Sequence, residues 1–282
     1  MSAHEASGEV AGAGLTAGEY INHHLHNWQI GSGFWTVNLD TVAYALLLGA
    51  LSCLVMWSVA RRMTSGVPGR LQAAVEFLVE WVDTEARGIV HNEESRKFVG
   101  PMALTVFVWI VLMNAMDLLP VDLLPWAWQT AQGDHGAYMR VVPTADLSAT
   151  MAMSVTVLLI CIYYNIKIKG PGGWLHELFT APFGNHFLLY PFNFALQIIE
   201  FVSKTVSHGM RLFGNMYAGE LVFLLIALMG GAFFSAVGIP LSIGHVIAGT
   251  FWAIFHILII LLQAFVFMML ALVYVGQAHD SH

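Results

Sequence analysis

IGHVIAGTFWAIFHILIILLQAFVFMMLALVYVG, residues 243–276, contains no Asp, Glu, Lys or Arg. As a helix at 1.5 Å per residue this run is about 50 Å long, while the hydrocarbon core of a bilayer is about 30 Å thick. The run before it, about 191–236, has no proline after Pro191 and would reach about 70 Å. Gly238-Ile239-Pro240 separates the two. Helices that long cross a membrane only if they tilt, bend or break. The pair predicts a C-terminal hairpin of two long, strongly tilted helices.

Working outward, the rest of the chain has the same solvent. Of the 282 residues 57% are hydrophobic and 10% charged, with a mean hydropathy of +0.69. A soluble domain carries roughly 25% charged residues. The apolar stretches are continuous, which excludes a transmembrane barrel with its short alternating strands. Three further crossings are expected at about 41–60, 100–119 and 148–166, stopped by Arg61-Arg62, by Asp117 and the Pro120 to Pro125 segment, and by Lys167 with Lys169. Residues 71–99 mix apolar and charged positions at helical spacing and predict an amphipathic helix at the membrane surface. The fold class is all-α: a polytopic membrane protein of about five crossings in one membrane domain (41–282), preceded by a polar tail (1–40). That tail has no Lys or Arg and no early apolar run, so no cleavable signal peptide is expected. Cys53 and Cys161 both fall in apolar stretches and read as packing residues.

Five crossings place Arg61, Arg62, Arg70, Arg87, Arg96, Lys97, Lys167 and Lys169 on one side and only Arg140 on the other. Loops rich in Lys and Arg face the cytoplasm, so the N-terminus is expected outside and the C-terminus inside. Lys204 and Arg211 are left within the membrane.

An arginine at mid-bilayer costs about 2.5–3.5 kcal/mol on insertion scales, and ionisable groups inside spans mark function by default. The competing reading is a structural salt bridge of Arg211 with Glu200 or Glu220. Arg211 and Glu220 are nine positions apart and project to opposite faces of a helix, so they pair only if the helix breaks, which Gly214 and Gly219 leave open. Lys204 shares the Arg211 face, as do Ser203, Ser207, Gly214 and Ala218. Small residues beside a charge let another helix approach closely, or merely pack. Folding the hairpin near residue 238 sets Glu220 level with His256 and Arg211 level with Gln263. One acid–imidazole level and one Arg–amide level result, at different depths. Asn114, Asp117 and Asp122 sit at the outer end of the second span, either as a solvated turn or as a polar mouth. His23, His24 and His26 lack the Cys or carboxylate spacing of a metal site. No phosphate loop, nucleophile elbow, zinc motif or basic–aromatic stripe is present. On these grounds no cofactor, no metal, no nucleic-acid partner and no catalytic site of its own are expected.

RLFGNMYAGE, residues 211–220, resembles the signature of the bacterial rotary ATP synthase subunit a family, in its proteobacterial form. MNAMDLLPVDLLP (113–125), PTADLSATM (143–151) and WAIFHILIILLQAF (252–265) add to the resemblance in family order, while residues 1–40 match loosely. The resemblance implies a proton-translocating stator subunit of the inner membrane, a non-catalytic part of the synthase. Its partners would be the rotor ring of subunit c, the peripheral-stalk subunit b, membrane lipids and protons. It places the essential arginine at Arg211 and the outer half-channel pair at Glu220 and His256. Asn215 and Gln263 become polar neighbours of the arginine, and Asn114 and Asp117 the outer entrance. Ser207 and Lys204 lie toward the cytoplasmic exit, where Glu200 is less securely placed. A secondary transporter would show inverted repeats in matching halves, and none is visible. A purely structural anchor would have its charges satisfied in pairs.

Overall fold

The structure, a computed structural model, describes residues 18, 25–31, 33–120, 123–133, 140–184, 186–230 and 238–278. Asp122, His23, His24 and the end of the 191–236 run lie outside the described residues. Strands β1 (Gln29–Ile30) and β2 (Val37–Asn38) form a short antiparallel hairpin. Among the described residues seven α-helices follow: α1 (Leu39–Arg61), α2 (Arg70–Ile89), α3 (Glu93–Ala115), α4 (Leu123–Gln132), α5 (Leu147–Thr180), α6 (Tyr190–Gly230) and α7 (Gly238–Gln277). Five of them, α1, α3, α5, α6 and α7, are long and apolar enough to cross a membrane. The all-α, five-crossing expectation holds.

The surface of α1 shows which solvent this fold requires. Leu46, Leu47 and Leu54 are 65%, 62% and 58% exposed. Lone exposed leucines are ordinary in any protein, but a whole helix of them is stable only against hydrocarbon.

Two elements depart from the sequence expectation, and one alternative it left open is decided. The expected surface helix 71–99 is two helices: α2 ends at Ile89 and α3 starts at Glu93. Asn92 separates them, its Oδ1 accepting the backbone N–H groups of Glu94 at 2.9 Å and Ser95 at 3.2 Å. This is an N-cap, which fills two of the donors a helix start leaves free. The third crossing does not stop at 166 but runs to Thr180 with a kink at Gly170 (φ 73°, ψ 158°). That left-handed backbone suits glycine, and Pro171 behind it cannot donate to the preceding turn. Finally, α6 has no break at Gly214 or Gly219.

The chain divides into two compact units. The first draws on the described parts of Met1–Ala50, Val111–Asp146 and Gly214–Leu262. Its polar anchor is Asp40, 1% exposed at the start of α1. One carboxylate oxygen accepts the backbone N–H of Trp28 (2.9 Å) and of Arg140 (3.0 Å), and the other accepts that of Thr41 (2.8 Å). Asn38 Nδ2 donates to Asp146 at 2.6 Å, and Thr144 Oγ1 donates to Asn114 Oδ1 at 2.7 Å. Residues 140–146 are thereby tied to the start of α1 and the end of α3.

The second unit draws on Leu51–Ile110, Leu147–Phe213 and Gln263–His282. Here α2 buries Val82 and Ala86, and its Trp81 ring lies against Phe107 (5.2 Å) and Phe265 (5.7 Å). On α7, Ala264, Met268, Ala271, Leu272 and Val275 are fully buried, a 3–4 spacing that makes one helix stripe. Small residues let the backbones close in: a Cβ on Gly276 would come within 2.7 Å of the Ile89 side chain. Ser154 donates to the Thr205 carbonyl (2.6 Å) and Cys161 to the Tyr274 carbonyl (3.1 Å). Both cysteines are free thiols, with Cys161 buried.

Candidate functional site

Among the described residues two polar sites occur, one inside each unit. The first is built around α6 and α7 in the Gly214–Leu262 part of the chain. Glu220, 8% exposed, is held by Arg140, also 8% exposed. The contact is bidentate: Nη2 to Oε2 at 2.5 Å and Nε to Oε1 at 3.3 Å. The Tyr217 ring lies 5.5 Å from the same guanidinium. A planar guanidinium matches a carboxylate edge to edge, and its proton is never lost at working pH.

His256 has no exposed surface and sits between the Phe223 ring (5.2 Å) and the Trp252 ring (6.1 Å). Its Nε2 is 2.7 Å from Asp117 Oδ2, although off the axis of a hydrogen bond. The close approach depends on Gly219, where a Cβ would fall into the His256 ring, 2.9 Å from Nδ1, and 3.2 Å from Asp117 Oδ2. Gly219→Ala is expected to cost about 1–3 kcal/mol through overpacking and to push the imidazole off Asp117. The check is the amount of assembled complex together with its proton pumping; wild-type values for both would mean the ring has room to yield.

The Glu220–His256 pairing suggested by hairpin counting is not the contact the structure shows. His256 faces Asp117, and Glu220 faces Arg140. Asn114 is fully buried and accepts from Thr144. Asn215 is exposed.

The second site lies within the second unit. A cavity of about 950 Å³ is lined by Glu200, Lys204, Lys169, Glu177, Tyr274 and Gln277, among others. Lys204 Nζ is 2.6 Å from Glu200 and 3.0 Å from the Gln277 side chain, and it lies 5.5 Å from the Tyr274 ring. Lys169 pairs with Glu177 at 2.7 Å. Ser207 is exposed, and Gln263 is buried at 4%.

Arg211 is exposed on α6 and forms no ion pair with another described residue. The two acids proposed for it in a structural salt bridge are taken: Glu200 by Lys204, and Glu220 by Arg140. Among the described residues no cluster of His, Cys, Asp and Glu could hold a metal ion.

The family model described as ATP synthase A chain matches residues 42–276. The chain belongs to the ATP synthase subunit a family. It is 63% identical over 279 residues to the ATP synthase subunit a of Acidovorax sp. (strain JS42), covering 95% of this chain and 97% of that one. It is 57% identical over 279 residues to that of Verminephrobacter eiseniae (95% and 97% covered). It is 49% identical over 273 residues to that of Aeromonas salmonicida (97% and 99% covered). Within this subunit a family member, Arg140 is the site residue that sequence reasoning missed, having counted it only for orientation. The signal was there: by the expected crossings it is the one Lys or Arg on its side. What the chain's order could not show is that residues 140–146 fold back onto Asp40 and bring the guanidinium to Glu220.

Proposed function

We propose that this chain is the proton-translocating stator subunit of a rotary ATP synthase, with Arg211 as an electrostatic gate between two offset half-channels. The observation that carries this reading is Arg211 itself: an exposed guanidinium without an ion-pair partner among the described residues, on a helix long and apolar enough to span. The protein leaves uncompensated a charge that costs about 2.5–3.5 kcal/mol at mid-bilayer, while pairing the neighbouring acids with other cations.

A carboxyl group facing lipid is held protonated by desolvation, which raises its pKa by up to about 3–5 units, whereas a neighbouring opposite charge lowers it by about 1–3 units. A rotor carboxylic acid arriving at Arg211 therefore gives up its proton. Arg211 keeps its own proton and so blocks passage from one half-channel to the other. Glu220, His256, Asp117 and Asn114 would form the outer half-channel, its entrance at Asn114 and Asp117. Lys204, Glu200 and Ser207 would line the inner exit. Asn215 and Gln263 would hold polar surroundings around the arginine. Protons would ride the rotor almost a full turn to pass from one to the other.

Ser203, Ser207, Gly214 and Ala218 share the Arg211 face by helical spacing, and all four are exposed. Such small side chains would let a rotor ring of c subunits approach closely; subunit b of the peripheral stalk would hold the chain still. The eight cations of the expected cytoplasmic side against Arg140 alone on the other support an inner-membrane orientation with the N-terminus periplasmic and the C-terminus cytoplasmic.

The test is ATP-driven proton pumping in inverted vesicles carrying Arg211→Ala in the assembled complex, with passive proton leak measured alongside. Pumping should be lost and the leak should rise. Pumping at the wild-type level would overturn the gate.

A further inference from the structure

On α6, Lys204, His208 and Arg211 follow one another at spacings of four and three, which makes a single stripe on one helix face. Lys204 lines the cavity of the second unit, and Arg211 is exposed. Between them His208 is 2% exposed, and its Nε2 makes no hydrogen bond among the described residues. Its ring lies 3.8 Å from that of Phe267 and 5.8 Å from that of Tyr274. Tyr274 is itself a wall of the cavity. A buried imidazole with an unused nitrogen is an exception to the rule that buried polar atoms are satisfied, and it stands one helical turn from the cavity on one side and from Arg211 on the other.

We propose that His208 is the proton relay between this cavity and the Arg211 position. This rests on the proposed half-channel function and extends it to a residue not so far placed in the path. The proton leaves a rotor carboxylic acid as that acid ionises at Arg211, and it binds the lone pair of one ring nitrogen. The N–H on the other nitrogen then passes its proton to water in the cavity, leaving a neutral ring in its other tautomer. A half-turn of the ring about its Cβ–Cγ bond then returns a lone pair to the receiving side, so no net proton stays on the ring and no co-reactant is consumed; in the reverse direction the same steps run backwards. Lysine and arginine cannot take this role while they stay protonated. The titratable and charged groups around the ring are Lys204 and Arg211 on its own helix and Tyr274 from α7, while Cys161 of α5 donates to the Tyr274 carbonyl.

The experiment compares His208→Phe, His208→Leu and His208→Gln in the whole complex. Phenylalanine keeps the stack on Phe267, leucine keeps apolar volume and glutamine keeps a polar tip, but none of the three titrates. Membranes with matched amounts of assembled complex are assayed for ATP-driven pumping from pH 6 to 9, with Arg211→Ala in parallel. The relay predicts a fall in pumping rate of about tenfold or more in every variant that assembles, a changed pH profile, and partial recovery with added imidazole. Wild-type pumping with an unchanged pH profile in any of them overturns it, as does failure of all three to assemble, which would make the ring a packing group. Normal pumping by the His208 variants beside a dead Arg211→Ala would remove only the relay; normal pumping by Arg211→Ala would remove the gate itself.

Discussion

Arg211→Lys is expected to lose ATP-driven proton pumping almost as completely as Arg211→Ala, although it keeps a side chain of the same nominal charge. The gate needs a cation that never releases its proton. A guanidinium meets this at any working pH, whereas a lysine ammonium desolvated among apolar groups can fall to a pKa of about 5–6. It would then be mostly neutral near pH 7, and would itself carry protons across the barrier. The ammonium is also a compact, strongly hydrated point charge that cannot meet a carboxylate along two parallel hydrogen bonds. Since the guanidinium lowers the rotor carboxyl by about 1–3 units, and each unit is a tenfold change in the ionisation equilibrium, losing it should make proton release roughly 10- to 1,000-fold less favourable. Dye-quench measurements of pumping in inverted vesicles decide the matter. Normal coupled pumping by the lysine variant would show that permanence of the charge is not what Arg211 supplies.

Arg140→Ala is the second large effect. It leaves the Glu220 carboxylate inside a site where it is 8% exposed, without the bidentate partner 2.5 Å away. Breaking a buried pair by removing one member costs about 3–5 kcal/mol, far more than an exposed pair is worth. The variant is expected to accumulate much less assembled complex. Arg140→Ala with Glu220→Gln removes the stranded charge and should recover most of the assembly while pumping stays low, since an amide cannot titrate. Quantifying the subunit in purified complexes for the two single variants and the double gives the coupling. If Arg140→Ala alone assembles and pumps like the wild type, the pair is not a structural part of the site.

The all-helical class, the number of crossings and the length of the last two helices were legible because they depend on local quantities. Continuous apolar runs, the absence of charge from 243 to 276 and the fixed rise of a helix answer those questions without knowledge of neighbours. Helix ends were read less well, since a cap at Asn92 and a left-handed glycine at Gly170 are single-residue devices set inside otherwise continuous patterns.

The sequence by itself also determined which ionisable groups lie where lipid should be, since each is costly there and few are present. Only the tertiary structure decided who pairs with whom. Counting back from the turn set Glu220 level with His256, and that counting is one-dimensional: it assigns depth along a hairpin but not the rotation of each helix or the path of a third segment. The fold turns His256 toward Asp117 across Gly219, and brings Arg140 to Glu220 because Asp40 captures the Arg140 backbone 100 residues away. Apolar periodicity is a property of each helix alone, whereas a charge in low dielectric is settled by whichever opposite charge the rest of the chain carries to it.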